Sequence, residues 1–316
     1  MLKIVYMGTP DFAVPALKAL AAAGETPVLA VTKPDRPKDR GKKMQSCPVK
    51  LAAQLLGIPV ETPEKLKNNR EFEEMLRALA PDLMVVAAYG KILPKAVLDI
   101  PRLGCINIHA SLLPEYRGAA PIHRAVIDGK EETGVSLMYM AEALDAGDVI
   151  AQAKTPVAEK TTEMLFDELA QLGAKLLIET LPALAAGTVT RTPQNESLVT
   201  YAPMVFKEDG IIDFSMPARK ICCIIRGFNS WPTASTVYCG QVMKVHMAKE
   251  AGKAADLGLP AAAPGTVLKA DKTGIYVACG NAEVVALTNI QLPGKKAMEV
   301  SAWLLGNKIE IGTVLG

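Results

Sequence analysis

At 316 residues the chain is long for one domain and comfortable for two, with ample material for a buried core. Half of it is hydrophobic and only 5% aromatic, so the core is built mainly from Ala, Val, Leu and Ile, as in α/β proteins. The formal charge of +2 says nothing about partners until it is located along the chain. The six cysteines, Cys47, Cys105, Cys222, Cys223, Cys239 and Cys279, form no Cys-x-x-Cys pair. That argues against a disulfide ladder or a zinc site and for reduced, mostly buried thiols. The chain opens directly on an apolar strand, MLKIVYMG, with no targeting segment ahead of it. No apolar run approaches the roughly 20 residues that span a bilayer. The expectation is a soluble, cytoplasmic protein.

In chain order, LKIVYM (2–7) reads as a buried strand stopped by Gly8-Thr9-Pro10, and a helix follows from Asp11 to about Ala23. PVLAVT (27–32) is a second strand, and a helix covers about 48–56. EFEEMLRALA (71–80) is helical and leads into the long apolar strand DLMVVAAYG (82–90). CINIH (105–109), GVSLMYM (134–140) and DVIAQAKT (148–155) are further strands, and a long helical stretch runs over 162–187. Apolar strands alternating with helices predict a doubly wound, Rossmann-like, mostly parallel sheet covered on both faces. Such sheets bind ligands outside the carboxyl ends of their strands. After Gly187 the sequence becomes polar and turn-rich, then breaks into short β-like segments such as STVYCG, VMKVHMA, GTVLKA, GIYVACG and AEVVALTNIQL. A short helix is predicted over 296–306. The division read from this is 1–189 for the α/β domain, 190–206 for a linker and 207–316 for a small β-barrel of the oligonucleotide-binding (OB-like) kind.

Charge is uneven. Residues 1–189 hold 22 Lys and Arg against 23 Asp and Glu, whereas 190–316 hold 13 against 10. Within the near-neutral first part, KPDRPKDRGKKMQSCPVK (33–50) carries seven basic and two acidic side chains, a net +5 directly after a strand. A solvated basic face and a surface that recruits a polyanion both fit that pattern.

The chemistry concentrates in CINIHASLLPEYRGAAPIH (105–123). Residues i and i+2 of a strand share a face, so Asn107 and His109 project side by side while Ile106 and Ile108 face the other way. The three histidines, His109, His123 and His246, have no Cys or carboxylate at ligand spacing, and no metal is expected. Gly8-Thr-Pro-Asp-Phe lacks the second and third glycines of a pyrophosphate-binding turn, which argues against a nicotinamide cofactor. ALDAGDVI (143–150) places Asp145 and Asp148 around Gly147. Asp148, entering a strand, reads as a turn former, and spacing alone leaves Asp145 open between catalytic carboxylate and turn residue. An amide, an imidazole and a carboxylate without an evident Ser or Cys nucleophile suit non-covalent acyl transfer.

These residues carry a resemblance. The stretch CINIHASLLPEYRGAAPIHRAVIDGKEETGVSLMYM followed by LDAGD resembles the folate-dependent formyltransferases. GTPDFA (8–13), the basic segment, VVAAYGKILP and PGKKAM (293–298) resemble the branch of that family acting on methionyl-tRNA. The resemblance implies Asn107, His109 and Asp145 around the formyl carbon of 10-formyltetrahydrofolate, the donor co-substrate. It implies folate contacts from Ser111, Leu112, Leu113 and Pro114, with Tyr89 and Gly90 lining the pterin pocket through their backbone. Arg36, Arg40, Lys42 and Lys43 would grip the acceptor stem of initiator methionyl-tRNA, with the chain acting as a monomer and no membrane involved. The alternative is a formyltransferase of the same family acting on an amino-sugar nucleotide.

Overall fold

The computed structural model describes residues 1–38 and 43–316, so Arg40 and Lys42 lie outside the described residues. The chain divides into two compact units, residues 1–121, 132–155 and 166–202 in the first and 122–131, 156–165 and 203–316 in the second.

As far as residue 202, the strands are β1 (Ile4–Gly8), β2 (Leu29–Val31), β3 (Arg36–Lys38), β4 (Lys43–Gln45), β5 (Val60–Glu61), β6 (Leu83–Ala87), β7 (Cys105–His109), β8 (Arg117–Gly118), β9 (Glu132–Tyr139), β10 (Val149–Pro156) and β11 (Tyr201–Ala202). The helices over the same stretch are α1 (Val14–Ala22), α2 (Pro48–Leu55), α3 (Arg70–Leu79), α4 (Lys95–Leu98), α5 (Pro121–Ile127) and α6 (Thr162–Ala186). Local chemistry sets several of their ends. Pro48 opens α2, where a missing N–H costs nothing. The Asn69 side chain accepts the Phe72 N–H at the start of α3, and Ala80, in the left-handed region, ends it.

Seven strands form one sheet in the order β10-β9-β7-β6-β1-β2-β5. The pairs β1 with β2, β1 with β6, β6 with β7 and β2 with β5 are parallel, and β7 with β9 is antiparallel. The mostly parallel α/β sheet expected from the sequence is present. Every residue of β1 and β6 is buried, as strands covered on both faces must be. The chain runs outward from β1 to β5 and then returns to β6 on the other side of β1. That reversal opens a crevice at the carboxyl ends of β1 and β6, where ligands of such sheets bind. Thr9, just after β1, bridges it by donating its hydroxyl to the Tyr89 carbonyl, 3.1 Å away.

One face of β7 is closed by α6. A Cβ on Gly173 would lie 2.7 Å from Ile108 Cγ2 and 3.3 Å from Val135 Cγ1, so only glycine admits this helix to the sheet. Ile108 is thereby committed to packing, and Asn107 and His109 belong to the opposite face. Contrary to the expectation that no segment approaches membrane-spanning length, α6 is long and apolar enough to cross a bilayer by length and composition. Its Leu169, Leu177, Leu181 and Leu184 are buried, the pattern of a helix covering a sheet.

The second unit holds α7 (Ala218–Gly227), β12 (Ser235–Tyr238), β13 (Gln241–Lys253), β14 (Val267–Asp271), β15 (Gly274–Ala278), β16 (Glu283–Gln291), β17 (Met298–Glu299) and α8 (Val300–Trp303). Its sheet runs β12-β13-β16-β15-β14, with β17 beside β16. All of these ladders are antiparallel. Ile221 and Ile225 of α7 join Val245, Val277, Val285 and Leu287 in one core. The helix predicted over 296–306 is cut to the four residues of α8, because Met298 and Glu299 pair with Ile290 and Asn289 instead. Asn289 fixes that pairing by donating its amide to Glu299 Oε1 at 2.9 Å. Beyond α8 the chain returns along the sheet. Leu315 donates to the Gly265 carbonyl at 2.8 Å and Gly316 to the Val237 carbonyl at 3.2 Å. All six cysteines are free; four are buried, Cys47 is half-buried and Cys239 is exposed.

Candidate active site

Asn107 and His109 lie at the carboxyl end of β7, opposite Met138 and Ser136 of β9. Asn107 is half-buried, and its amide has no hydrogen-bond partner among the described residues. His109 is buried, and its Nε2 lies 3.0 Å from the Tyr116 carbonyl. A carbonyl can only accept, so Nε2 carries a proton and Nδ1 is the nitrogen left for chemistry. Nδ1 faces Asp145 Oδ2 at 3.7 Å. The gap exceeds a direct hydrogen bond but suits two groups that address one proton on a third.

Asp145 sits in the loop between β9 and β10 with φ +49°, a conformation unusual for a residue other than glycine. Its Oδ2 accepts the Gly118 N–H at 2.8 Å. Two glycines make this arrangement possible. Gly118 has φ +124° and approaches the Ala202 carbonyl so closely that a Cβ would stand 2.7 Å from its oxygen. A Cβ on Gly147 would fall 1.8 Å from the Tyr139 carbonyl, inside the turn that brings Asp145 back over β7.

The loop after β7 is held by side chains distant in sequence. Ser136 donates its hydroxyl to the Ser111 carbonyl at 2.7 Å and accepts from the Leu113 N–H at 3.0 Å and from Gln152 Nε2 at 2.8 Å. That exhausts the one donor and two acceptor positions of a hydroxyl. Gln152 also donates to the Leu113 carbonyl at 2.9 Å, and Ser111 to the Glu115 carbonyl at 2.6 Å. Further along, Tyr116 donates its N–H to Thr200 Oγ1 at 2.9 Å, and β8 pairs in parallel with β11. Within the stretch expected to meet folate, Ser111 and Leu113 are buried while Leu112 and Pro114 are half-buried. Tyr89 is committed to the core with a hydroxyl that has no hydrogen-bond partner among the described residues, and burial pushes its pKa up to about 12. Only its backbone, with that of Gly90, is available at the crevice.

Of the four basic residues expected to grip tRNA, Arg36 and Lys43 lie on the antiparallel β3-β4 pair, opposite Gln45 and Lys38 respectively. The positive balance of this segment is partly offset. Lys50 pairs with Asp35 at 2.7 Å, and Ser46 donates to the same carboxylate. His246 hydrogen-bonds Gln291, and the half-buried His123 belongs to the second unit. Sequence spacing gave no sign of Ser136, Gln152 or Gln194, whose partners lie between 16 and 77 residues away. The period-2 pattern of β9 places Ser136 on the same strand face as Met138, the one signal available for it.

A doubly wound parallel sheet followed by an antiparallel one, with an amide and an imidazole at one strand end, defines an α/β enzyme of the formyltransferase fold. Residues 2–181 match the formyl transferase family and residues 204–308 the formyl transferase C-terminal domain. The chain belongs to the formyl transferase family. It is 47% identical to the methionyl-tRNA formyltransferase of Geobacillus thermodenitrificans, over 100% of this chain and 98% of that one. It is likewise 47% identical to the methionyl-tRNA formyltransferase of Moorella thermoacetica, over 100% and 99% of the two chains. Among solved structures, an N-formyltransferase from Helicobacter canadensis, in complex with folinic acid and dTDP-3-aminofucose, superposes with a TM-score of 0.66 at 17% identity, covering 91% of this chain and 99% of that one. HypX from Aquifex aeolicus, in complex with tetrahydrofolic acid, gives 0.60 at 18% identity, covering 99% of this chain and 50% of that one.

Proposed function

We propose that this enzyme transfers the formyl group of 10-formyltetrahydrofolate to the α-amino group of initiator methionyl-tRNA. The observation that carries the assignment is full-length identity of 47% to relatives named for that reaction. Residues 1–189 carry the transfer, 207–316 bind tRNA and 190–206 connect them. The enzyme works in the cytoplasm as a monomer.

Asn107, His109 and Asp145 carry the chemistry. An α-amino group with an ordinary pKa of about 7.7–8.0 is partly unprotonated at neutral pH and attacks the formyl carbon. Asn107 donates its amide to the formyl oxygen as charge develops on it. His109 presents Nδ1, which donates to that oxygen only when the ring holds both protons. Asp145 Oδ2, 3.7 Å from Nδ1, takes the proton that the amine loses and passes it to the departing folate nitrogen. One C–N bond forms, one breaks and one proton crosses, with no covalent enzyme intermediate. The Ser111–Pro114 loop and the backbone of Tyr89 and Gly90 hold the folate, and Arg36, Arg40, Lys42 and Lys43 hold the tRNA acceptor stem.

The second unit is proposed as a five-stranded OB-like barrel closed by the C-terminal segment. In support, that segment bonds to Gly265, next to β14, and to Val237 of β12, the two ends of the open sheet. The test of function supplies 10-formyltetrahydrofolate with either methionine-charged initiator tRNA or an amino-sugar nucleotide, and counts formylated product. Turnover on the tRNA is expected; turnover on the sugar nucleotide alone would replace this reading.

A further inference from the structure

The geometry points to Gln194, held by Arg117, as the residue that positions Asp145 for proton transfer. This rests on the reading of Asp145 as the carboxylate that moves the proton. A carboxylate at φ +49° in a surface loop needs external support to keep one orientation, and two supports are present. Gly118 donates its N–H to Asp145 Oδ2 at 2.8 Å. The Gln194 amide nitrogen lies 2.8 Å from the Asp145 carbonyl and 2.8 Å from the Gly147 carbonyl. Both of its protons are thus spent on the two carbonyls that define the turn.

Both supports adjoin Arg117. Arg117 directly precedes Gly118, and its Nε donates to Gln194 Oε1 at 3.0 Å. The remaining edge of its guanidinium makes a forked pair with Glu196, at 2.8 Å from Nη2 and 3.3 Å from Nη1. Arg117 is buried and Glu196 largely exposed, so the charge is anchored inside and compensated from the surface. That guanidinium holds the Glu196 carboxyl below its usual pKa range. Gln194 is separated from Asp145 by 49 residues and comes from the stretch read as a linker. That stretch therefore also fixes the catalytic loop. A misplacement of about 1 Å can cost about 10²-fold in rate, which sets the scale of the effect.

The test measures kcat and KM of the full chain with both substrates for Gln194→Ala, Gln194→Glu and Asp145→Asn, and for each Gln194 variant combined with Asp145→Asn. Gln194→Glu keeps the shape and an acceptor for Arg117 but cannot donate to the two carbonyls, so it serves even if Gln194→Ala fails to fold. Each single Gln194 variant is expected to lower kcat about 10- to 100-fold with both KM values within about threefold of the parent. In the Asp145→Asn background the same changes should cost less than about threefold, because the group being positioned is already disabled. Loss of the same size in both backgrounds marks a general structural role and overturns the inference. So does near-parental kcat for Gln194→Glu beside a disabled Asp145→Asn, which leaves the catalytic reading standing. Near-parental turnover of Asp145→Asn itself would remove that reading, and the inference with it.

Discussion

The two units place their buried polar side chains differently. In the first unit, His109, Ser111, Arg117 and Ser136 are buried, and each is hydrogen-bonded to a loop at the strand ends. In the second, buried polar side chains brace helix α7, with Thr162 donating to the Gly227 carbonyl at 2.7 Å and Arg226 to the Ala158 carbonyl at 2.9 Å, and other pairing lies at the surface, where Lys269 meets Asp271 at 2.7 Å. Buried polar groups are costly unless satisfied, whereas exposed ion pairs contribute about 0–1 kcal/mol. His109, Ser111, Arg117 and Ser136 are satisfied and so held in fixed positions. The second unit also holds an apolar core around Leu287.

The comparison predicts that substitutions in the first region show in turnover before they show in stability. The largest effect falls on the strand-end pair. Asn107→Ala and His109→Ala should each lower turnover about 10²–10³-fold, the cost of one oxyanion donor, while folate binding persists. Single-turnover formyl transfer at saturating donor reads this, and activity within a few-fold of the parent would break the comparison at its strongest point. Next comes the apolar core of the second unit. Leu287 is fully buried there, so Leu287→Ala should cost about 2–5 kcal/mol and lower the unfolding midpoint. Below that midpoint its kcat should stay within about threefold, and a larger fall in turnover than in stability would erase the contrast.

A smaller effect is expected from the basic segment. Neutralising Lys42 and Lys43 together should weaken tRNA binding and reduce the slope of log affinity against log salt by about two phosphate contacts' worth. Folate affinity should not change. Equal slopes and affinities would reduce the segment to a solvated face. The smallest effect concerns His123, whose pKa burial lowers from its usual value. The unfolded chain then binds more protons than the folded one between the lowered value and about 6.5. The contribution of neutral His123 is fully present above about 6.5 and is lost as pH falls through that window. Unfolding midpoints at pH 5 and 7.5 should therefore differ less for His123→Gln than for the parent; an equal difference would place the acid sensitivity elsewhere.

Much of the frame was legible in the residues. The apolar runs that became β1 and β6 were visible because a strand covered on both faces must be apolar throughout, and in β7 Ile106 and Ile108 alternate with Asn107 and His109. The shared face of Asn107 and His109 followed from their spacing alone. Helix α7 was not anticipated, although Ile221, Cys222 and Ile225 recur at helical spacing after Pro217. Its short apolar runs resemble the strands around it. The shortened α8 was missed because the competing partner of Met298 and Glu299 is a strand that ends before them in sequence.

By itself the sequence determined the alternation of the main strands and helices in the first unit and the shared strand face of Asn107 and His109. Those properties repeat locally, with the two-residue period of a strand or the 3.6-residue period of a helix, and need no distant partner. Tertiary structure alone decided which nitrogen of His109 is free, because the Tyr116 carbonyl claims the other. It also decided that Asp145 is held from Gly118 and Gln194, and that Ser136 and Gln152 shape the loop after β7. These contacts join loops that share one edge of the sheet only because parallel strands send their carboxyl ends the same way. No local pattern encodes which donor in one such loop will meet which acceptor in another.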